Sequence, residues 1–154
     1  MTRNWWLLVC SLTVIPATSS GEDWPQWLGS QRDGVWREKD VLERFPPGGP
    51  KLLWRQHLGS GYSGPAVANG CVFVMDRRVE KDAAKPKNDF DRQTVIKGYE
   101  RVVCLAASSG EVLWIYEYPC DYRISYQSGP RCTPTVDGDY VYCLGAMGIC
   151  SACR

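Results

Sequence analysis

The sequence has a single histidine, His57, and almost no net charge, with 18 Lys and Arg against 17 Asp and Glu. The charge balance gives no steering toward nucleic acid or an anionic membrane surface. One histidine without a visible nucleophile or orienting partner is no general base, and it falls short of the four ligands zinc usually takes. It lies in a strand-like pattern and reads as structural. Helical periodicity with caps is missing beyond the first residues, and no later apolar run approaches the about 20 residues that cross a membrane. The composition, 44% hydrophobic and 23% charged, excludes disordered and collagen-like chains. At 154 residues there is room for one domain.

What is abundant is Trp and Cys, with seven and eight residues. The first twenty residues account for some of each. Arg3 precedes an apolar run from Trp5 to Ile15, followed by Pro16-Ala17-Thr18-Ser19-Ser20 and the acidic Glu22-Asp23. A basic start, a short apolar core and small residues after it predict a secretory signal peptide over 1–20. Its removal takes away Arg3 and leaves no net charge. The expected location is periplasmic or secreted, with no integral membrane segment after cleavage.

Export places the remaining cysteines in an oxidising compartment, and their number is odd. Cys71, Cys104 and Cys143 sit in apolar strand patterns and read as small buried hydrophobes. Cys120 and Cys132 flank a loop and are a candidate pair, whose geometry the sequence does not establish.

The remainder reads as β. Short β-branched and aromatic runs lie at Cys71 to Asp76, Arg101 to Leu105, Val112 to Tyr118 and Tyr140 to Leu144. They are bounded by Asn69-Gly70, Ser109-Gly110 and Asp137-Gly138. The runs are apolar on both faces, as strands packed between two neighbouring sheets would be. The charged stretch Val79 to Lys97 reads as an exposed hairpin loop or insertion.

Two elements repeat. Pro65 to Val74 aligns with Pro134 to Cys143 at a constant offset of 69, each a Pro, a short strand, a tight turn and a second strand. Ser63-Gly64-Pro65 and Ser128-Gly129-Pro130 lie upstream. Gly49-Pro50-Lys51-Leu52-Leu53-Trp54 resembles Gly110-Glu111-Val112-Leu113-Trp114, with one extra residue in the first copy. Variable spacing between such elements is usual where insertions fall in loops.

The run Cys104-Leu105-Ala106-Ala107-Ser108-Ser109-Gly110-Glu111-Val112-Leu113-Trp114 resembles the tryptophan-docking repeat of pyrroloquinoline quinone (PQQ)-like β-propellers. Ala106 stands where Asp is usual there, and Ser109 where Thr is usual. The stretch Asp23-Trp24-Pro25-Gln26-Trp27-Leu28-Gly29, followed by Arg32-Asp33-Gly34, resembles the lead-in of exported bacterial propellers of this kind. The resemblance implies that Gly110, Trp114 and Trp54 are blade-docking residues, each Trp burying a large ring between blades and the Gly allowing close approach. It implies an all-β, incomplete β-propeller of about one and a half four-stranded blades. Residues 21–50 would be the lead-in and 51–154 the partial repeats. Leu52 to His57 would be an outer strand borrowed by the last blade. Ala66–Ala68, Cys71–Asp76, Tyr99–Ala106 and Glu111–Tyr118 would form the first blade, and Cys132–Val136 and Tyr140–Leu144 would begin a second that lacks two strands. An array of fewer than about three units buries little surface, so the isolated chain is expected to aggregate or fold poorly.

The family contains quinoprotein dehydrogenases, which oxidise alcohols or sugars with PQQ and a divalent cation such as Ca²⁺. It also contains members without quinone, which present loops and a propeller face to other proteins. This sequence has no Cys-Cys pair of the kind found in some quinoproteins. Cys150-Ser151-Ala152-Cys153 is followed by Arg154 and is no haem attachment motif. It reads as a tail out of register with the strand the repeat predicts there. Asp137 and Asp139 flank Gly138 and suit a turn better than a cation site. Arg131, Asp121 and Tyr122 lie in the loop before the second unit, with no position assigned. The expected role is therefore a non-catalytic protein-interaction scaffold with no catalytic residue, metal or cofactor. The N-terminal part of a PQQ-dependent dehydrogenase, with PQQ and Ca²⁺, is the alternative.

Overall fold

A computed structural model describes residues 21–39 and 41–154. The signal-peptide reading of residues 1–20 lies outside the described residues. The described chain is all-β: β1 (Ala66–Ala68), β2 (Cys71–Val79), β3 (Gly98–Ala106), β4 (Val112–Pro119), β5 (Thr135–Asp137), β6 (Tyr140–Leu144) and β7 (Cys150–Cys153). They form two open antiparallel sheets, one in the order β1-β2-β3-β4 and one in the order β5-β6-β7. Local chemistry sets the first hairpin. Asn69 and Gly70 both take positive φ, 53° and 72°, the two-residue turn whose twist matches that of its strands.

The repeat in the sequence is a repeat of register. Ala66, Val67 and Ala68 face Phe73, Val72 and Cys71. Thr135, Val136 and Asp137 face Tyr142, Val141 and Tyr140, the same pairs displaced by 69. The third strands also correspond. Met75 faces Val102 and Phe73 faces Cys104, while Leu144 faces Cys150 and Tyr142 faces Ala152. Cys150–Cys153 is therefore an in-register third strand, and the expectation of an out-of-register tail is corrected. Among the described residues the second sheet has three strands rather than two. The reason is the tight turn at Gly145–Gly148, closed by hydrogen bonds from Gly145 to Ile149 and from Gly148 to Gly145. It replaces the long β2–β3 loop of the first sheet.

A second correction concerns Leu52 to His57. This segment forms no strand. It runs from Trp54, bonded to Ala107, to Ser60, which bridges to Arg77 at the edge of β2. Among the described residues no neighbouring strand supplies a ladder, and Leu52 and Leu53 stay out in solvent while Trp54 is half-buried. The charged 80–97 loop is exposed for most of its length. It is held by the Asp91 carboxylate, which accepts from the Lys87, Gln93 and Thr94 amides and the Thr94 hydroxyl.

The sheets pack head to tail. The front of the first sheet, made by Ala66, Phe73, Met75, Val102 and Cys104 with Trp114, meets the back of the second, made by Val136, Val141 and Cys143. Phe73 and Trp114 rings lie 6.0 Å apart, within the range of attractive aromatic pairs. The lead-in ties the two innermost strands together. Trp24 exchanges both backbone hydrogen bonds with Val67, and Pro25 accepts from the Val136 amide at 2.8 Å.

Candidate functional site

Of the three residues expected to dock blades, two meet directly. The Trp54 indole N–H donates to the Ala107 carbonyl at 2.8 Å. Its ring lies over Gly110, whose φ is +72°, and a Cβ there would sit 2.5 Å from the ring. Trp114 lies instead in the packing between the two sheets. The two Trp residues of the repeated element are thus held differently, Trp54 on the Ala107–Gly110 turn and Trp114 against the core between the sheets.

Where the sheets meet, a polar cluster lies at the end of the apolar core. Glu100 is fully buried. Its carboxylate accepts from the Tyr118 and Tyr122 hydroxyls and from the Ala146 amide at 2.9 Å. Tyr118 and Tyr122 belong to the first sheet's outer strand and the loop after it, and Ala146 to the turn of the second sheet. One carboxylate therefore fastens three pieces of chain. The adjoining Gly145 is required because a Cβ there would collide with Glu100 and Tyr118. Burial and the hydrogen bond to Glu100 push both tyrosine hydroxyls well above their usual range.

Beside it, the buried Arg77 guanidinium lies 3.5 Å over the Tyr122 ring, a desolvated cation–π contact. It donates to the Gln127, Ile96 and Cys120 carbonyls at 3.1, 2.6 and 3.3 Å. Burial lowers its pKa, offset in part by Tyr122, Cys120 and Glu100. On the back of the first sheet, Asp76 pairs with Arg101 through two hydrogen bonds and accepts from the Gly59 amide. These residues were absent from the expected site. The signal in the sequence was parity: Glu100 shares a strand face with Val102 and Cys104, and Arg77 shares one with Phe73 and Met75.

The other expected residues scatter. Tyr122 is buried in this cluster, but Asp121 is exposed, and Arg131 bonds locally to the Ser125 and Tyr126 carbonyls. His57 is exposed and outside any strand. All described cysteines are free thiols, Cys120 buried and Cys132 exposed, so the Cys120–Cys132 pairing is not formed. Cys104 and Cys143 are buried as expected, and Cys71 is half-buried. Among the described residues, no three His, Cys, Asp or Glu side chains gather so as to hold a metal.

The second sheet leaves its own front open. Tyr142 and Leu144 are 47% and 42% exposed, whereas their repeat equivalents Phe73 and Met75 are 7% and 1% exposed. Tyr142, Leu144 and Cys150, with Trp27 and Thr135 at the edge, line a largely apolar groove of about 560 Å³. A neighbouring groove of about 530 Å³ is walled by Trp24, Trp27 and Trp36. Such an apolar surface marks an interaction site more often than a monomer's ordinary exterior. Among the described residues, no helix is long and apolar enough to cross a membrane. No protein-family model, curated protein or solved structure matches the chain.

Proposed function

We propose that this chain is an exported repeat protein of the PQQ-like β-propeller type, acting as a non-catalytic scaffold for other proteins. The observation that carries the reading is the head-to-tail packing of two sheets with one register, which leaves an aromatic face open. Front-to-back stacking of identical units is the arrangement that radial blades repeat. The Trp54–Gly110 contact supports the same reading, since it joins the repeated Gly-x-x-x-Trp element to the next copy of itself. The described residues do not fit a quinone–cation centre. Such a site needs converging oxygen donors, and the two most buried carboxylates, Glu100 and Asp76, are already taken up by tyrosines and by Arg101.

The test uses the full chain expressed in a bacterial host, with a photo-crosslinking residue in place of Trp27. The scaffold reading expects recovery from the periplasm or medium without residues 1–20, and a discrete crosslink to another polypeptide. That crosslink should disappear when Tyr142→Arg is added. PQQ with Ca²⁺ should give neither a shifted absorbance nor dye reduction with alcohols or sugars. Quinone-dependent dye reduction would replace the scaffold reading with the dehydrogenase alternative.

A further inference from the structure

We infer that Cys71 and Cys104 form a thiol–disulfide exchange site, a dithiol that a disulfide oxidant closes into a cross-strand bond and a thiol reductant reopens. The inference stands on the first sheet alone and is independent of the proposed function.

The first observation is register. Cys71 opens β2 and faces Ala106 on β3, and Phe73, two residues on, faces Cys104. The Ala107 amide donates to the Gly70 carbonyl at 2.9 Å, which makes residues 70 and 107 a hydrogen-bonded level. Such levels alternate along an antiparallel pair with levels that exchange no hydrogen bonds, where facing side chains lie closer. Cys71–Ala106 and Phe73–Cys104 are both of the second kind. Cys71 and Cys104 are therefore diagonal neighbours on one face of the sheet.

The second is packing. Cys104 belongs to the core between the sheets, and Cys71 packs against that core from its border. A hydrogen bond joins the two thiols. Their access differs. Cys71 is half-buried, whereas Cys104 is 1% exposed, and burial pushes the Cys104 thiol up to about 12. Cys71 is therefore the thiol that meets an oxidant, and Cys104 is the one that resolves the intermediate.

The chemistry balances in two exchange steps. The Cys71 thiolate attacks a disulfide R–S–S–R, forming Cys71–S–S–R and releasing one R–S⁻. The Cys104 thiolate then attacks the Cys71 sulfur and releases the second R–S⁻. The two cysteines give up two protons and two electrons, and the disulfide takes up both as two thiols. Diagonal positions lie about 7–8 Å apart at Cα, beyond the about 4.4–6.8 Å that a disulfide usually spans. Closure must draw the start of β2 toward β3. The strain of doing so makes the bond easily reduced, as labile disulfides are and structural ones are not.

The test uses the full chain carrying Cys132→Ser/Cys150→Ser, which removes two exposed thiols and leaves the first sheet untouched. The protein is equilibrated in glutathione buffers, quenched in acid, alkylated and mapped by mass spectrometry. Cleavage at Glu111 separates Cys104 from Cys120. Oxidised glutathione should yield a Cys71–Cys104 linked peptide, with the amides of β2 and β3 still protected from hydrogen exchange. An excess of reduced glutathione should lower that peptide at least tenfold. With Cys104→Ala added, the reaction should stop at a glutathione adduct on Cys71. A parent chain in which Cys71 keeps glutathione while Cys104 stays free would overturn the inference. So would a bond from either thiol to a third cysteine, or a linked peptide found only where β2 and β3 have lost protection. A Cys71 that takes no glutathione in either chain, or a linked peptide that reduced glutathione does not open, would do the same.

Discussion

Trp54 lays its indole ring over Gly110, more than fifty residues further along the chain, with the ring N–H on the Ala107 carbonyl just before it. Gly110 has two separate reasons to be glycine. Its φ of +72° is costly for any L side chain, and a Cβ would press into the ring at 2.5 Å. Gly110→Ala should therefore destabilise this junction by about 2–4 kcal/mol, combining left-handed strain with overpacking. Hydrogen exchange at the Ala107–Gly110 turn reads it directly. Gly70→Ala is the control, because it shares the positive φ but has open space around it. It should cost about 1–2 kcal/mol, and equal losses at the two sites would remove the role given to Trp54.

Glu100 joins the sheets, and its replacement separates shape from charge. Glu100→Gln keeps the volume but turns one acceptor into a donor facing a tyrosine hydroxyl or the Ala146 amide. Hydrogen bonds to a charged group are worth about 1.5–3 kcal/mol each, so a loss of about 2–4 kcal/mol is expected. The Ala146 amide should exchange faster by tenfold or more, while the turn at Asn69–Gly70 stays as protected as before. A uniform change along the chain would mean that Glu100 does not act at the sheet junction.

Arg77 acts on loops rather than sheets. Its guanidinium gathers carbonyls from the end of the charged loop, from Cys120 and from Gln127. Arg77→Met keeps a long apolar stem in the site but takes the guanidinium away from the Cys120 and Gln127 carbonyls, while Ile96 keeps only its bond from the Tyr122 amide. A cost of about 2–4 kcal/mol is expected, set by the stranded acceptors. Limited proteolysis should then cut within 80–97 and 120–127 at least tenfold faster, with β2 and β3 still resistant. Unchanged cleavage at both loops would show that Arg77 does not hold them.

The strands and their turns were legible because the sequence signals are local: β-branched runs, Asn69-Gly70, Asp137-Gly138 and the offset of 69. The resemblance between two short elements singles out Trp54, Gly110 and Trp114, but not that Trp54 lies on Gly110, which depends on how the chain folds back on itself. Leu52–His57 was misread as a strand for a physical reason. Its composition suits a strand, but a strand also needs a neighbour, and that is not a property of its own residues. Cys150–Cys153 was misread in the opposite direction. Its small residues carry little β signal, and the short turn before β7 hides the correspondence with β3. The Glu100 and Arg77 cluster escaped because buried charges are justified by partners from distant loops.

The cysteines give a test of the packing between the sheets. Burial raises the Cys104 thiol to about 12, with a hydrogen bond to Cys71 contributing, and raises the Cys143 thiol to about 12. Cys132 and Cys150 are exposed. At pH 8 the thiolate is the reactive form, so alkylation of Cys104 and Cys143 in the folded chain should lag that of the same thiols in the denatured chain by roughly 10²–10³-fold, the upper figure being the thiolate fraction and the lower allowing for the greater nucleophilicity of a less acidic thiol. Peptide mapping by mass spectrometry resolves the sites. The same shifts fix a pH dependence. A folded-state pKa above the unfolded value of 9.0 means that the unfolded chain releases these protons first. The contribution to stability is complete below about pH 9 and declines as pH rises toward about 12, because the unfolded state then binds fewer protons. Denaturant midpoints should thus fall above pH 9, and Cys104→Ala/Cys143→Ala should lower stability at pH 8 while flattening that fall. If the wild type and the double variant lose stability in parallel above pH 9, these thiols are not buried where the two sheets meet.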